Sequence, residues 1–167
     1  MTNDTLGLIL LVEDDAVQRR LYNDVLINLG YTVFAAETVQ DAEQFLAEQM
    51  PALILLDVMM PEVNGIDACK RFRQTLGQRV PILFLTAADT MDVVLAAMKA
   101  GGDDYIVKGS PATLIERIAH WRKADHVDLT DRRLRAVAYL ESRMQSSAKS
   151  GHSDSELRFI PVIPAKR

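Results

Sequence analysis

A doubly wound α/β domain with a five-stranded parallel sheet is the fold class this sequence predicts, on three observations. Short apolar runs alternate with segments of helical period five times over about the first 120 residues, the pattern of parallel strands joined by crossover helices. Several of those runs are almost continuously apolar, as strands covered on both faces are. Four of the five are followed at once by a polar residue able to do chemistry, and in open α/β sheets sites lie at the carboxyl ends of the strands. The flavodoxin-like strand order 2-1-3-4-5 is the natural candidate.

The elements follow in order. Leu8–Val12 reads as the first strand, and Val17, Leu21, Val25 and Leu29 form one stripe of the first helix. Asp15 starts that helix, where a negative side chain suits the dipole, and Gly30 stops it. Thr32–Ala35 is the second strand, followed by a helix carrying Ala42, Phe45 and Leu46. Ala52–Leu56 is the third strand. After it Met59, Met60 and Pro61, then Asn64-Gly65, read as a tight loop in which Gly65 supplies a special backbone conformation. Ile66, Cys69, Phe72 and Leu76 mark the third helix. Ile82–Leu85 is the fourth strand; Met91, Val94, Leu95 and Met98 mark the fourth helix, ended by Gly101 and Gly102. "GGDD" at 101–104 is therefore a helix C-cap and turn, not a cyclic-nucleotide signature. Tyr105–Val107 is the fifth strand, and Ser110-Pro111 caps and opens a fifth helix with Leu114, Ile115, Ile118 and Ala119.

Composition bounds the function. The 167 residues are 49% hydrophobic and 25% charged, as in a soluble globular protein of about one domain with some chain left over. No apolar run approaches the ~20 residues needed to cross a bilayer, and MTNDTLG lacks the basic start and apolar block of a signal peptide. A cytoplasmic protein that binds no membrane is expected. Cys69 is the only cysteine, which excludes an internal disulfide and a thiolate cluster, and its spacing from Ile66 and Phe72 places it on a packed helix face. Residues 1–123 hold 17 acidic and 11 basic side chains, so that part offers no surface for nucleic acid. No glycine-rich phosphate loop with its lysine occurs.

The acids pose the chemical question. Glu13 and Asp14 follow the first strand, Asp57 the third, Thr86 the fourth and Lys108 the fifth, so all five project from one edge of the sheet. Converging carboxylates disfavour one another, and burial beside a core adds a desolvation cost. A hard divalent cation, Mg2+ above all, offsets both: it takes one or two carboxylates, keeps waters and leaves room for phosphate oxygens. A lysine and a hydroxyl beside it suit a phosphoryl group, and phosphoryl transfer to a carboxylate is the chemistry suggested.

The stretches "LILLVEDD", "LILLDVMMPEVNG", "PILFLTAAD" and "AGGDDYIVK" make residues 6 to about 123 resemble the receiver domain of two-component response regulators. The resemblance implies Asp57 as the nucleophile that accepts a phosphoryl group from a sensor histidine kinase or phosphotransfer protein. It implies Mg2+ held by Asp14 and Asp57, by Glu13 directly or through water, and by the Met59 carbonyl. Lys108 would pair with the phosphate, Thr86 would swing toward it, and Tyr105 would report that movement on a face formed by the fourth helix, fifth strand and fifth helix. A homodimer would use that face or the C-terminal helix. Such a chain is a phosphoacceptor that dephosphorylates itself rather than a classical enzyme. Family members place proline after the strand-five lysine, often with a cis bond; here Gly109 follows Lys108, which implies either a strained loop or a trans bond that repositions Lys108. Positions 59 and 88, Met and Ala here, are ones that adjust autodephosphorylation in the family.

Two other readings compete. A haloacid-dehalogenase-like phosphohydrolase would need a second Asp two residues after the first, and that position is Met59. A pseudo-receiver that binds partners without phosphorylation draws its support from Gly109 alone.

Residues 124–167 form an extension outside the resemblance. A helix over about 130–146 is expected, with Thr130 as cap and Leu134, Val137, Leu140 and Met144 on one stripe too narrow to found a domain. It must pack on the receiver, pair with another copy or serve a partner, and Trp121 is placed to anchor it. "SSAKSGHSDSE" is polar, "LRFIPVIPAKR" is short and broken by proline, and His120, His126 and His152 show no metal-ligand spacing. The chain is either a regulator without a DNA-binding domain or the front part of something longer.

Overall fold

The computed structural model describes residues 6–87, 90–123 and 129–150. Ala88, His126, His152 and the segments after Ser150 lie outside the described residues. Five parallel strands, β1 (Leu8–Val12), β2 (Thr32–Ala36), β3 (Leu53–Asp57), β4 (Ile82–Thr86) and β5 (Asp104–Val107), lie in the order β2-β1-β3-β4-β5, as expected. Between and after them run α1 (Ala16–Asn28), α2 (Val39–Glu48), α3 (Gly65–Leu76), α4 (Met91–Lys99), α5 (Pro111–Lys123) and α6 (Leu129–Ser150).

Strand alternation sorts the core into two layers, because successive side chains point to opposite faces. Leu10, Val12, Ile54, Leu56, Ile82 and Phe84 meet the apolar faces of α2, α3 and α4. Ile9, Leu11, Leu53, Leu55, Leu83 and Leu85 meet Tyr22 and Leu26 of α1 and Leu114, Ile118 and Trp121 of α5. Both faces of β1, β3 and β4 are thus covered, which is why those strands read as apolar runs.

Local signals set the helix ends. The Asp15 side chain accepts from Gln18 N at 2.8 Å, capping α1 as expected. Gly30, at φ 94°, turns the chain out of that helix. Asn64 caps α3 by accepting from Asp67 N at 2.9 Å, so Asn64-Gly65 is the start of a helix rather than a loop. Cys69 is fully buried and burial pushes its thiol up to about 12, which leaves it inert at neutral pH.

Three stripes need correction. In α1 the buried face is Tyr22 and Leu26 with Val25 and Leu29 half-buried, while Val17 is 79% exposed and Leu21 lies outside. A strict four-residue spacing overshoots each turn, so four such residues drift about 120° around the helix and the first of them leave the core. In α5, Ile115 is exposed because Leu114, Ile118 and Trp121 take the inner face. In α6, Leu134 is 65% exposed, and Leu129, Arg133, Ala136 and Leu140 are buried instead. Charge turns that face by one residue: Arg133 is drawn inward to Asp103, at 2.6 Å from Nη2 to Oδ1.

The α6 helix joins both layers. Its Leu129 belongs to the layer of α1 and α5, whereas Ala136 and Leu140, with Val137 and Met144, belong to that of α2, α3 and α4. It packs along α4, and Lys99 of α4 pairs with Glu141 at 2.6 Å. Trp121 is buried beneath its start, with the Arg132 guanidinium 4.8 Å from the ring centre, so the expected anchor is in place. Of the three fates open to this helix, packing on the receiver is the one observed.

The acids of the "GGDD" turn are more than turn formers, a role the sequence reading missed. Asp103 Oδ2 accepts from Arg73 Nη2 at 2.7 Å and from Ile82 N at 2.9 Å, and its Oδ1 takes Arg133. Asp104 accepts from Trp121 Nε1 at 2.9 Å and pairs with Arg117 at 3.3 Å. Burial raises the pKa of both carboxyls against the pull of these cations, so each is held by its partners in a place that disfavours charge. The signal was available in the sequence only as Arg73, Arg117 and Arg133 on otherwise apolar faces.

Candidate functional site

All five strands are parallel, so their carboxyl ends share one edge, and the polar residues after β1, β3, β4 and β5 meet there. Asp57, the last residue of β3, is 2% exposed and sits opposite Leu85 of β4. Its Oδ1 accepts from Met59 N at 3.1 Å. Lys108, just past β5, brings Nζ to 3.0 Å from Asp57 Oδ2 and 2.8 Å from Glu13 Oε2. Glu13 is wholly buried and Asp14 half-buried. Carboxylate oxygens of Glu13, Asp14 and Asp57 lie within 4.8 Å of one another. Thr86 is buried at the end of β4, next in line after Leu85, and its carbonyl accepts from Lys108 N at 2.8 Å. The structure therefore brings Glu13, Asp14, Asp57 and Lys108 together, with Thr86 on the adjoining strand end.

Three carboxylates face one ammonium. Burial pushes the Glu13 carboxyl up to about 7; Lys108 pulls it back, and the negative Asp57 pushes it further up. Burial alone would lower Lys108, but its hydrogen bonds to Glu13 and Asp57, with their charges, carry it upward, so it is charged at neutral pH. The balance is an excess of negative charge at the carboxyl edge of the sheet.

Several residues that sequence reasoning passed over shape this site. Arg19 Nη1 donates to the carbonyls of Glu13 at 2.9 Å and Asp14 at 3.0 Å, fixing the acidic turn from the first turns of α1. Its signal was an arginine at the sheet-facing side of a helix that follows three acids. Tyr22 of α1 is buried, and the Lys108 charge and the Gly109 backbone N–H oppose the upward push of burial on its hydroxyl. Proline at 109 would offer no such donor. Among the described residues no peptide bond is cis, and Gly109 takes φ 113°, so the loop turns through glycine's left-handed freedom. The expected alternatives were strain or a displaced lysine; a trans bond with Lys108 still at Asp57 is what is found.

Gly65 corrects another expectation. It has no left-handed φ; its need is room, since a Cβ there would lie 2.0 Å from the Asp57 carbonyl oxygen, while its N–H donates to Val58 O at 2.9 Å. Gly65→Ala is expected to cost about 3 kcal/mol, at the upper end for forced packing, because backbone at the end of β3 must move. Urea unfolding of the variant checks it. Strain instead falls on Glu62, the one non-glycine of positive φ among the described residues, at 67°.

Tyr105 is 5% exposed, packed in the α4 layer with Ala136 and Leu140 of α6. Met59 is 69% exposed beside Asp57, and Val17 and Leu21 stand exposed on α1. No helix among the described residues is long and apolar enough to cross a membrane.

A doubly wound parallel sheet whose strand ends bring Glu13, Asp14 and Lys108 to one buried aspartate, Asp57, has the architecture of a receiver module. Residues 9–119 match the response regulator receiver domain, and the chain belongs to that family. Response regulator MprA of Mycobacterium ulcerans is 41% identical over 115 residues, covering 68% of this chain and 48% of that protein. The chain spans about half the length of the curated relatives it matches. A putative response regulator from Chloroflexus aurantiacus, 32% identical, aligns with TM-score 0.66 over 71% of this chain and 98% of the other. Response regulator TrrA of Thermotoga maritima, solved in complex with Mg2+-BeF, is 27% identical and aligns with TM-score 0.62 over 68% of this chain and 97% of that one.

Proposed function

We propose that this chain is a phosphoacceptor in which Asp57 takes a phosphoryl group from a sensor histidine kinase or a phosphotransfer protein. One observation carries the reading: Lys108 Nζ stands 3.0 Å from Asp57 Oδ2 inside a cluster of buried acids. An Asp57 oxygen attacks the phosphorus, the P–N bond of the donor phosphohistidine breaks, and the imidazole leaves with the electron pair. Lys108 and Thr86 then face the phosphoryl oxygens. The exposed apolar Met59, two residues after Asp57, and the exposed Val17 and Leu21 of α1 suit a protein donor better than a small molecule alone. The acyl phosphate is released by water at the same site, so turnover of an outside substrate is not the chain's task.

Mg2+ fits the residues present. Glu13, Asp14 and Asp57 offer oxygens of the hard type within one ion's reach, and the Met59 carbonyl would complete the protein's share. The buried Glu13 Oε2 has Lys108 Nζ, at 2.8 Å, as its partner among the described residues, so it has a lone pair to spare. Bound there, Mg2+ would neutralise charge on the transferring group. The three residues bind it in their ionised form, and a carboxyl raised to about 7 is protonated below that value. Apparent Mg2+ affinity, followed by titration calorimetry, is therefore expected to fall as pH drops from 8 to 6. The sign for stability is opposite: without metal, protonation of Glu13 is favoured more in the folded chain, so stability without Mg2+ declines as pH rises through about 7.

Incubation with acetyl phosphate and Mg2+ is expected to add one phosphoryl group by intact mass, and EDTA to prevent it. An unchanged mass under both conditions would sink the reading. The pseudo-receiver alternative rested on Gly109, and Lys108 standing 3.0 Å from Asp57 just before that glycine favours the phosphoacceptor. The phosphohydrolase alternative lacks an acid where Met59 stands.

A further inference from the structure

Around α6 the structure reads as an interface laid along the receiver's α4 face, anchored at its start by Leu129 in the layer of α1 and α5. The family match ends at residue 119, before α6 begins. The contact has an apolar centre, with Ala136 and Leu140 buried and Val137 and Met144 half-buried against the α4 layer. Charged contacts flank it: the exposed pair of Lys99 with Glu141 at 2.6 Å, and the buried Arg133 with Asp103, reaching also to Gln78. An apolar centre flanked by charged pairs is the anatomy of a docking surface.

The key carboxylate is divided between the two partners. Asp103 Oδ2 is used by the receiver's own Arg73 and Ile82 N, whereas Oδ1 is used by Arg133 of α6. Taking α6 away would leave the receiver's half of this network whole. The helix it rests on is tied to the site at its other end, since Met91 opens α4 five residues beyond Thr86, while Asp103 pins the α4 to β5 turn. Packing is matched to one placement of α4 and tolerates little displacement.

We propose that α6 is a removable ligand of the α4 face, docked while Asp57 is unmodified and released when Asp57 carries a phosphoryl group. The release step rests on the phosphoacceptor reading; the separable docking does not. Docked, α6 covers the face on which Tyr105 lies, so that face and the apolar side of α6 become available to partners together.

Hydrogen exchange on the full chain tests both parts. In unmodified protein, Arg133→Ala combined with Glu141→Lys is expected to speed exchange of α6 amides at least about tenfold while β1, β3 and β4 keep their protection. Adding Lys99→Glu is expected to restore part of the protection through the reversed rim pair. Strands losing protection in step with α6 would show that α6 is an inseparable part of the core and overturn the proposal. With acetyl phosphate and Mg2+, α6 exchange is expected to rise in wild type and stay unchanged in Asp57→Asn. An adduct by mass with unchanged α6 exchange overturns the coupling. Absence of any adduct overturns the phosphoacceptor reading and the coupling with it, while the first comparison still decides the docking.

Discussion

Asp57→Asn is expected to abolish the phosphoryl adduct completely while leaving the chain folded and no less stable. An amide is too poor a nucleophile to form an acyl phosphate under these conditions, and Glu13 is held back by burial against Lys108. Stability holds because the change relieves a repulsion. Glu13 is pushed up to about 7 partly by the charge on Asp57, and an amide at 57 removes that push while Lys108 keeps its bond to Glu13. The amide oxygen can still accept from Met59 N. Intact mass reads the first part and urea unfolding at pH 7.5 the second. An adduct retained on the variant would move the acceptor to another residue.

Asp103→Ala carries the largest expected cost in stability, about 3–5 kcal/mol, because it removes one partner from a buried ionic network. Arg73 and Arg133 would face each other without the anion between them, and Ile82 N would lose its acceptor at the first residue of β4. Arg133→Ala alone is the informative contrast. Asp103 then keeps Arg73 and Ile82, so the loss should concentrate in α6 rather than spread through the sheet. Urea unfolding read by far-ultraviolet circular dichroism gives the size, and hydrogen exchange gives the place.

The strands and their order were legible because each buried strand is a run of apolar residues that no helix of that length could use. The candidate site residues were marked in the same way: Glu13, Asp57, Thr86 and Lys108 are each the first polar side chain after a strand's apolar run, and Asp14 adjoins Glu13. What escaped were contacts made across the fold. Arg19 fixes the acidic turn from α1 with only its place after three acids to mark it, and nothing in the neighbourhood of Tyr22 says that it lies near Lys108. The inner face of α1 was misjudged because spacing by four is not the helical repeat, and that of α6 because an arginine outcompeted a leucine for burial. Gly65 was marked as special for its conformation when the constraint is the carbonyl of Asp57 lying against it, a distance only the folded chain contains.

The shared carboxylate also bears on how the chain is made. Arg133 follows Asp103 by 30 residues, an interval of about 1.5–6 s at ordinary rates of synthesis. During it the sheet can close with Asp103 already bound to Arg73 and Ile82, its charge never stranded. The nascent receiver then waits with its α4 face bare, and α6 arrives last to a surface that is already built.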